Sequence, residues 1–186
     1  MKQLCYYGNP ILRKKCKPVQ EITPFIHQVI KQMLETLKFH NGAGIAAPQI
    51  GYELQIFINL LSDQEDEDGF ALDLTQPEIY INPIITNSSK KQFKDKEGCL
   101  SIPGIRSDVS RPQSINIEYT DIDGKRVTCK NIKGWKAKCL QHEMDHLNGV
   151  LFIDHISKED KMKAQPILMD LEHNYRKNSI MPKDFL

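Results

Sequence analysis

No run of about 18 consecutive apolar residues occurs in the chain, so no segment reads as a membrane-spanning helix. The opening Met1-Lys2-Gln3-Leu4-Cys5-Tyr6-Tyr7-Gly8 also lacks the apolar core of an export signal. A soluble, cytoplasmic protein with no membrane partner is the expectation. Charge of one sign is missing too: 25 Lys and Arg against 24 Asp and Glu leave +1, too little to attract nucleic acid as the main partner. The five cysteines, at 5, 16, 99, 129 and 139, are odd in number and show no short paired spacing, which disfavours a disulfide framework and a Cys-only zinc cage. Repeats, linkers and low-complexity segments are absent. What remains is 186 residues with 40% hydrophobic and 26% charged side chains, a composition suited to one catalytic domain, residues 1–186, with its own core.

Thr23 and Pro24 form an expected N-cap and first helical position, and Phe25, Ile26, Val29, Ile30, Met33, Leu34 and Leu37 then recur at helical spacing. This predicts a helix over about 24–39, ending at Asn41-Gly42. The following run, Gly42 to Ile50, is too small-sided for ordinary core. Leu54–Leu61 and Ile79–Ile85 read as buried strands, with an acidic surface loop at 62–69 between them. Ile115–Tyr119 and Arg126–Cys129 alternate as strands across Asp121-Ile122-Asp123-Gly124, a hairpin turn. A second helix should start after Gly134, carry Trp135, Leu140, Met144 and Leu147 toward the core, and stop at Asn148-Gly149. Val150–Ile153 looks strand-like. A C-terminal helical extension, about 157–176, should begin at Ser157 with Asp160 in capping-box position and be broken in two by Pro166. The expected fold is α+β, mostly antiparallel sheet wrapped around one central helix, with a C-terminal helix.

His142-Glu143-Met144-Asp145-His146 carries the chemistry. On a helix, histidines four apart project from one face as a metal clamp, and Glu143 can lean over a water as a general base. The third ligand decides the class. The metzincin pattern needs a third histidine at position 152, which is Phe. A zincin-type peptidase needs a downstream glutamate, Glu159 or Glu172, and Glu172 is the better placed. Upstream, Cys99 in Glu97-Gly98-Cys99-Leu100-Ser101 could supply a thiolate. A non-catalytic cage of Cys99, another cysteine and both histidines is a further alternative, one that leaves Glu143 without a role.

Three segments, Gly42-Ala43-Gly44-Ile45-Ala46-Ala47-Pro48-Gln49, Glu97 to Ser101, and Gln141 to His146, resemble in order and spacing the signature motifs of bacterial peptide deformylases. The resemblance extends over Asn9 to Arg13, Ile102 to Arg106 and Gly149 to Phe152. It implies that Cys99, His142 and His146 hold one divalent metal, typically Fe(II), which Zn, Ni or Co can replace in isolated protein. It implies hydrolysis of the formyl group from N-formylmethionyl nascent peptides, releasing formate, with Glu143 as general base and the Gln49 amide and Leu100 N–H beside the oxygen that gains charge. Ala43, Gly44 and Gly98 would lie along the peptide, and Trp135 and Cys139 would wall the methionine pocket. Ala43 is smaller than the aliphatic residue expected there, which predicts relaxed selectivity at the first residue. Asp145 should pair with Arg111, and Arg106 is an ordinary surface residue. A monomer touching the ribosome transiently completes the expectation.

Overall fold

The computed structural model describes residues 2–61, 72, 73 and 75–180, with side chains described to 177. The acidic loop expected at 62–69 lies outside the described residues. Helix α1 spans Pro24–Phe39, as its periodicity requires, and buries Ile26, Val29, Ile30, Met33 and Leu37. Thr23 supplies the extended entry and Pro24 the first helical position, but the Thr23 side chain makes no capping bond.

Seven strands come next: β1 (Gly44–Ala46), β2 (Ile56–Asn59), β3 (Glu78–Ser88), β4 (Gln92–Cys99), β5 (Ile102–Pro112), β6 (Ser114–Thr120) and β7 (Arg126–Lys133). They form an antiparallel sheet in the order β1-β2-β3-β6-β7 and a separate β4–β5 hairpin. The β6–β7 turn is made by the residues that announced it. Asp121 Oδ1 accepts the N–H groups of Asp123 and Lys125, at 3.0 and 2.8 Å, and Gly124 takes a φ of +81° that few other residues tolerate.

Helix α2 (Gly134–Leu147) lies against β1, β2, β6 and β7 of the large sheet and β5 of the hairpin, which makes it the central helix. Leu140 and Leu147 join Phe57, Tyr80, Ile115 and Ile117 in one core cluster. Helix α3 (Lys158–Ile180) packs Ala164 and Leu168 onto Ile102, Ile105 and Val109 of the hairpin. Its start is capped as expected, the Asp160 N–H donating to Ser157 Oγ at 3.0 Å.

Four expectations need correction. Residues 45–50 are core: Ile45, Ala46, Ala47 and Ile50 are fully buried, with β1 in contact with both α1 and α2, while Gly42, Ala43 and Gly44 are half-buried. Val150–Ile153 is no strand; Phe152–Asp154 makes a single 3-10 turn, closed by the Leu151 N–H donating to Asp154 Oδ2 at 2.9 Å. Pro166 does not break α3. It removes one N–H whose partner would be the Met162 carbonyl, and both residues sit on the exposed face, where water replaces the lost bond. Trp135 does not enter the core: it is half-buried, its ring edge-on to Phe93 with centroids 5.8 Å apart. The β4–β5 hairpin had no sequence prediction, because inward positions are held by Glu97, Ser107 and Arg111 as well as by Ile105 and Val109.

Candidate active site

α2 presents His142, Glu143 and His146 on one face, the two imidazole centroids 5.1 Å apart. Cys99 arrives from the last position of β4. An irregularity in the β4–β5 register between Glu97 and Cys99 re-aims the strand end toward α2. Cys99 Sγ stands 3.2 Å from His146 Nε2, and one ligand atom from each of Cys99, His142 and His146 falls within 4.8 Å of the others. Among the described residues this is the one such group of three. A thiolate and two imidazoles that converge fit a divalent transition metal, and Glu143 Oε2 beside them is buried without a hydrogen-bond partner.

Electrostatics supports that fit. His142 Nδ1 lies 3.0 Å from Glu97 Oε2, which fixes the tautomer that leaves Nε2 free to ligate. Glu97 in turn takes two hydrogen bonds from Arg111, at 2.5 and 2.9 Å. Burial alone would raise the Glu97 carboxyl, but His142 and Arg111 outweigh it and hold it at about 2. Arg111 also donates to Asp145 Oδ2 at 2.8 Å, the pairing expected from sequence, and His155 Nε2 meets the same oxygen at 2.8 Å. Burial and the neighbouring His142 keep His146 neutral, as a ligand must be. Burial pushes Glu143 up to about 7, the neighbouring negative Glu97 adding to it and His142 and Arg111 drawing it down. Burial also keeps Cys139 a neutral thiol.

Glu97 is the functional residue whose role sequence reasoning missed. Its signal was faint: an acidic residue two positions before a candidate ligand, in a stretch rich in charge.

A cavity of about 430 Å³ opens over this centre, lined by every residue expected in the site except His146, which lies behind it at 1% exposure. Gln49 sits in the 3-10 turn after β1. Its Oε1 accepts the Ala46 N–H at 2.8 Å, and its Nε2 donates to Ser101 Oγ at 3.2 Å and stands 3.5 Å from Cys99 Sγ, so the amide is oriented toward the ligand cluster. At Gly44 a Cβ would stand 2.6 Å from Glu143 Oε1 and 3.0 Å from Cys139 Sγ: the space its missing side chain leaves is taken by Glu143. At Gly98 a Cβ would stand 3.3 Å from Arg106 Cγ, so Arg106, though exposed, folds over the cavity edge.

The family model for polypeptide deformylases matches residues 1–162. The chain belongs to the peptide deformylase family. It is 39% identical over 161 residues to the peptide deformylase of Borreliella burgdorferi, covering 87% of this chain and 90% of that one. Against the peptide deformylase of Mesorhizobium japonicum it is 40% identical over 158 residues, 85% of either chain. The crystal structure of peptide deformylase from Ehrlichia chaffeensis superposes with a TM-score of 0.82 at 31% identity, covering 97% of this chain and 99% of that chain. The protein is thus a deformylase with a single Cys/His/His metal site.

Two alternatives fall on this deformylase's geometry. Glu172, the third ligand of the peptidase reading, is on α3, bonded to Arg176 at 2.5 Å and packed against Gly8, outside the ligand cluster. The four-ligand cage fails because no second cysteine joins Cys99 in that cluster.

Proposed function

We propose that this deformylase acts on N-formylmethionyl nascent peptides, with Glu143 as general base and general acid. The observation that carries the assignment is Glu143 itself: a buried carboxylate at about 7, one oxygen without a partner, facing the cavity beside the three ligands. Cys99, His142 and His146 would hold Fe(II), which when bound supplies Lewis acidity. Glu143 takes a proton from the attacking water as its oxygen bonds to the formyl carbon. When the carbon–nitrogen bond breaks, Glu143 returns that proton to the departing amine, and formate and a free amino terminus result. Gln49 Nε2 and the Leu100 N–H face the charge that develops on the formyl oxygen. Cys99 and its metal carry a liability: activity should decay in air with iron and persist with nickel or zinc.

The peptide is read as a short extended strand. β1 ends the large sheet and among the described residues pairs only with β2, its other edge lying beside Ala43 and Gly44. Trp135 and Cys139 wall the side-chain pocket of the first residue, with Gly98 at the rim. Residues 1–186 would act as one catalytic unit, a cytoplasmic monomer meeting its substrates as they leave the ribosome. The deciding experiment is formate release from formyl-Met-Ala-Ser by anaerobically prepared protein, as isolated, after chelation, and as Glu143→Ala. Metal-dependent release that Glu143→Ala abolishes supports the reading. No release by protein carrying one metal per chain would overturn it.

A further inference from the structure

Most of helix α3 lies beyond the part of the chain that the family model covers. That match ends at residue 162, whereas α3 continues to Ile180. The helix is fixed in place: Ala164 and Leu168, 5% and 3% exposed, pack into the hairpin cluster, and Ser107 Oγ donates to Asp160 Oδ2 at 3.0 Å. Two turns on from Asp160, Ile167 comes beside Gly104. A Cβ on Gly104 would stand 3.9 Å from both Ile167 Cδ1 and Ile167 Cγ2, and Gly104 lines the cavity. Gly104 has a φ of +82°, which favours glycine, and its missing side chain leaves the apolar flank of α3 open beside a segment that lines the cleft. Ile167 is 37% exposed, one of the few large apolar side chains open to solvent.

Trp135 and Cys139 line the cavity from α2 and Pro103 to Arg106 line it from β5; on the proposed reading the first side chain takes the former, which leaves the latter for later residues of the peptide. Ile167 stands beside Gly104 of that segment, just outside the cavity lining.

We propose that Ile167, with Gly104, forms an apolar subsite for the third or fourth residue of the formylated peptide, making α3 a specificity element of this deformylase. The inference rests on the deformylase reading. A chain running from the ligands along Pro103 to Arg106 brings its later side chains onto the exposed edge of α3, where an apolar group sheds water against Ile167. Such binding is remote from the reacting carbon and is made equally before and at the transition state, so it lowers KM and leaves kcat alone.

The test compares formyl-Met-Ala, formyl-Met-Ala-Ser-Ser, formyl-Met-Ala-Phe-Ser and formyl-Met-Ala-Ser-Phe on wild type, Ile167→Asp and Ile167→Ala. Wild type should favour one Phe peptide over the Ser-Ser peptide about fivefold in kcat/KM, through KM. Ile167→Asp should erase that preference, Ile167→Ala should reduce it, and all three proteins should process formyl-Met-Ala alike. A wild type without preference, or a preference untouched by Ile167→Asp, overturns the subsite and leaves the deformylase reading standing. No formate from any peptide overturns both. The position is a partly exposed helix flank, and Ile167→Ala provides the readout if the aspartate disturbs folding.

Discussion

α2 lines the cleft and α3 packs on the outside of the β4–β5 hairpin that forms part of it, and the two helices are built in opposite ways. α2 is pressed between two sheets and buries Lys136, Lys138, Gln141, Glu143 and His146. The lysines and the glutamine there are tied to partners, while Glu143 Oε2 and His146 Nδ1 are buried without a hydrogen bond. Lys138 Nζ donates to the Asp95 carbonyl at 2.5 Å, Gln141 Nε2 to the Pro112 carbonyl at 3.0 Å, and Lys136 Nζ to Glu78 at 2.7 Å. α3 buries one flank and leaves the rest in water, with pairs such as Glu159–Lys163 and Glu172–Arg176 along its surface. Charges in water interact weakly, whereas buried ones are costly unless held, so a similar inventory of ionisable residues is chemistry on one helix and solvation on the other.

The sharpest test of this contrast is on α2: Glu143→Ala should lower kcat by about 10²–10⁴-fold while one metal per chain remains bound, measured by formate release and metal analysis. Next, removing one partner of the buried pair should damage the fold itself. Arg111→Met takes two hydrogen bonds from buried Glu97 and one from Asp145, leaving them His142 and His155, and should cost about 3 kcal/mol in urea unfolding. Gly44→Ala places a methyl against Glu143 and should reduce kcat about tenfold or more with a smaller change in KM, since the carboxylate must shift. The pH dependence of metal-free protein sharpens the same point. Glu97 is held at about 2 against an ordinary value of 4.5, so the stability it contributes is complete above about 4.5 and is lost as pH falls from there toward 2. Urea midpoints between pH 6 and 3 should decline, and Glu97→Gln should flatten that decline. The smallest effect belongs to α3: Lys163→Ala should leave melting temperature and activity unchanged. A large effect there would break the comparison.

Legibility followed the range of the interaction. The spans of α1 and α2 and the β6–β7 hairpin arise from local period and turn residues, and they came out near their predicted limits. Pro166 misled because local propensity speaks for a helix interior packed all round, and α3 is open to water on that side. The β4–β5 hairpin was invisible because its inward positions carry Glu97 and Arg111, whose burial makes sense only once each faces the other. Glu97 lies 45 positions from His142, a separation at which no periodic signal survives.

By itself the sequence determined the clamp: His142, Glu143 and His146 share a face because an α-helix turns every 3.6 residues, whatever surrounds it. It also offered Cys99 as one of several candidate third ligands, while Gln49 and Leu100 were named through resemblance alone. Only the tertiary structure decided which donor completes the set, that Glu97 and Arg111 hold His142, that Gly44 is empty for the sake of Glu143, and that Ile167 comes beside Gly104. Those depend on packing between segments far apart in the chain, where the contact exists only after both sheets have closed on α2.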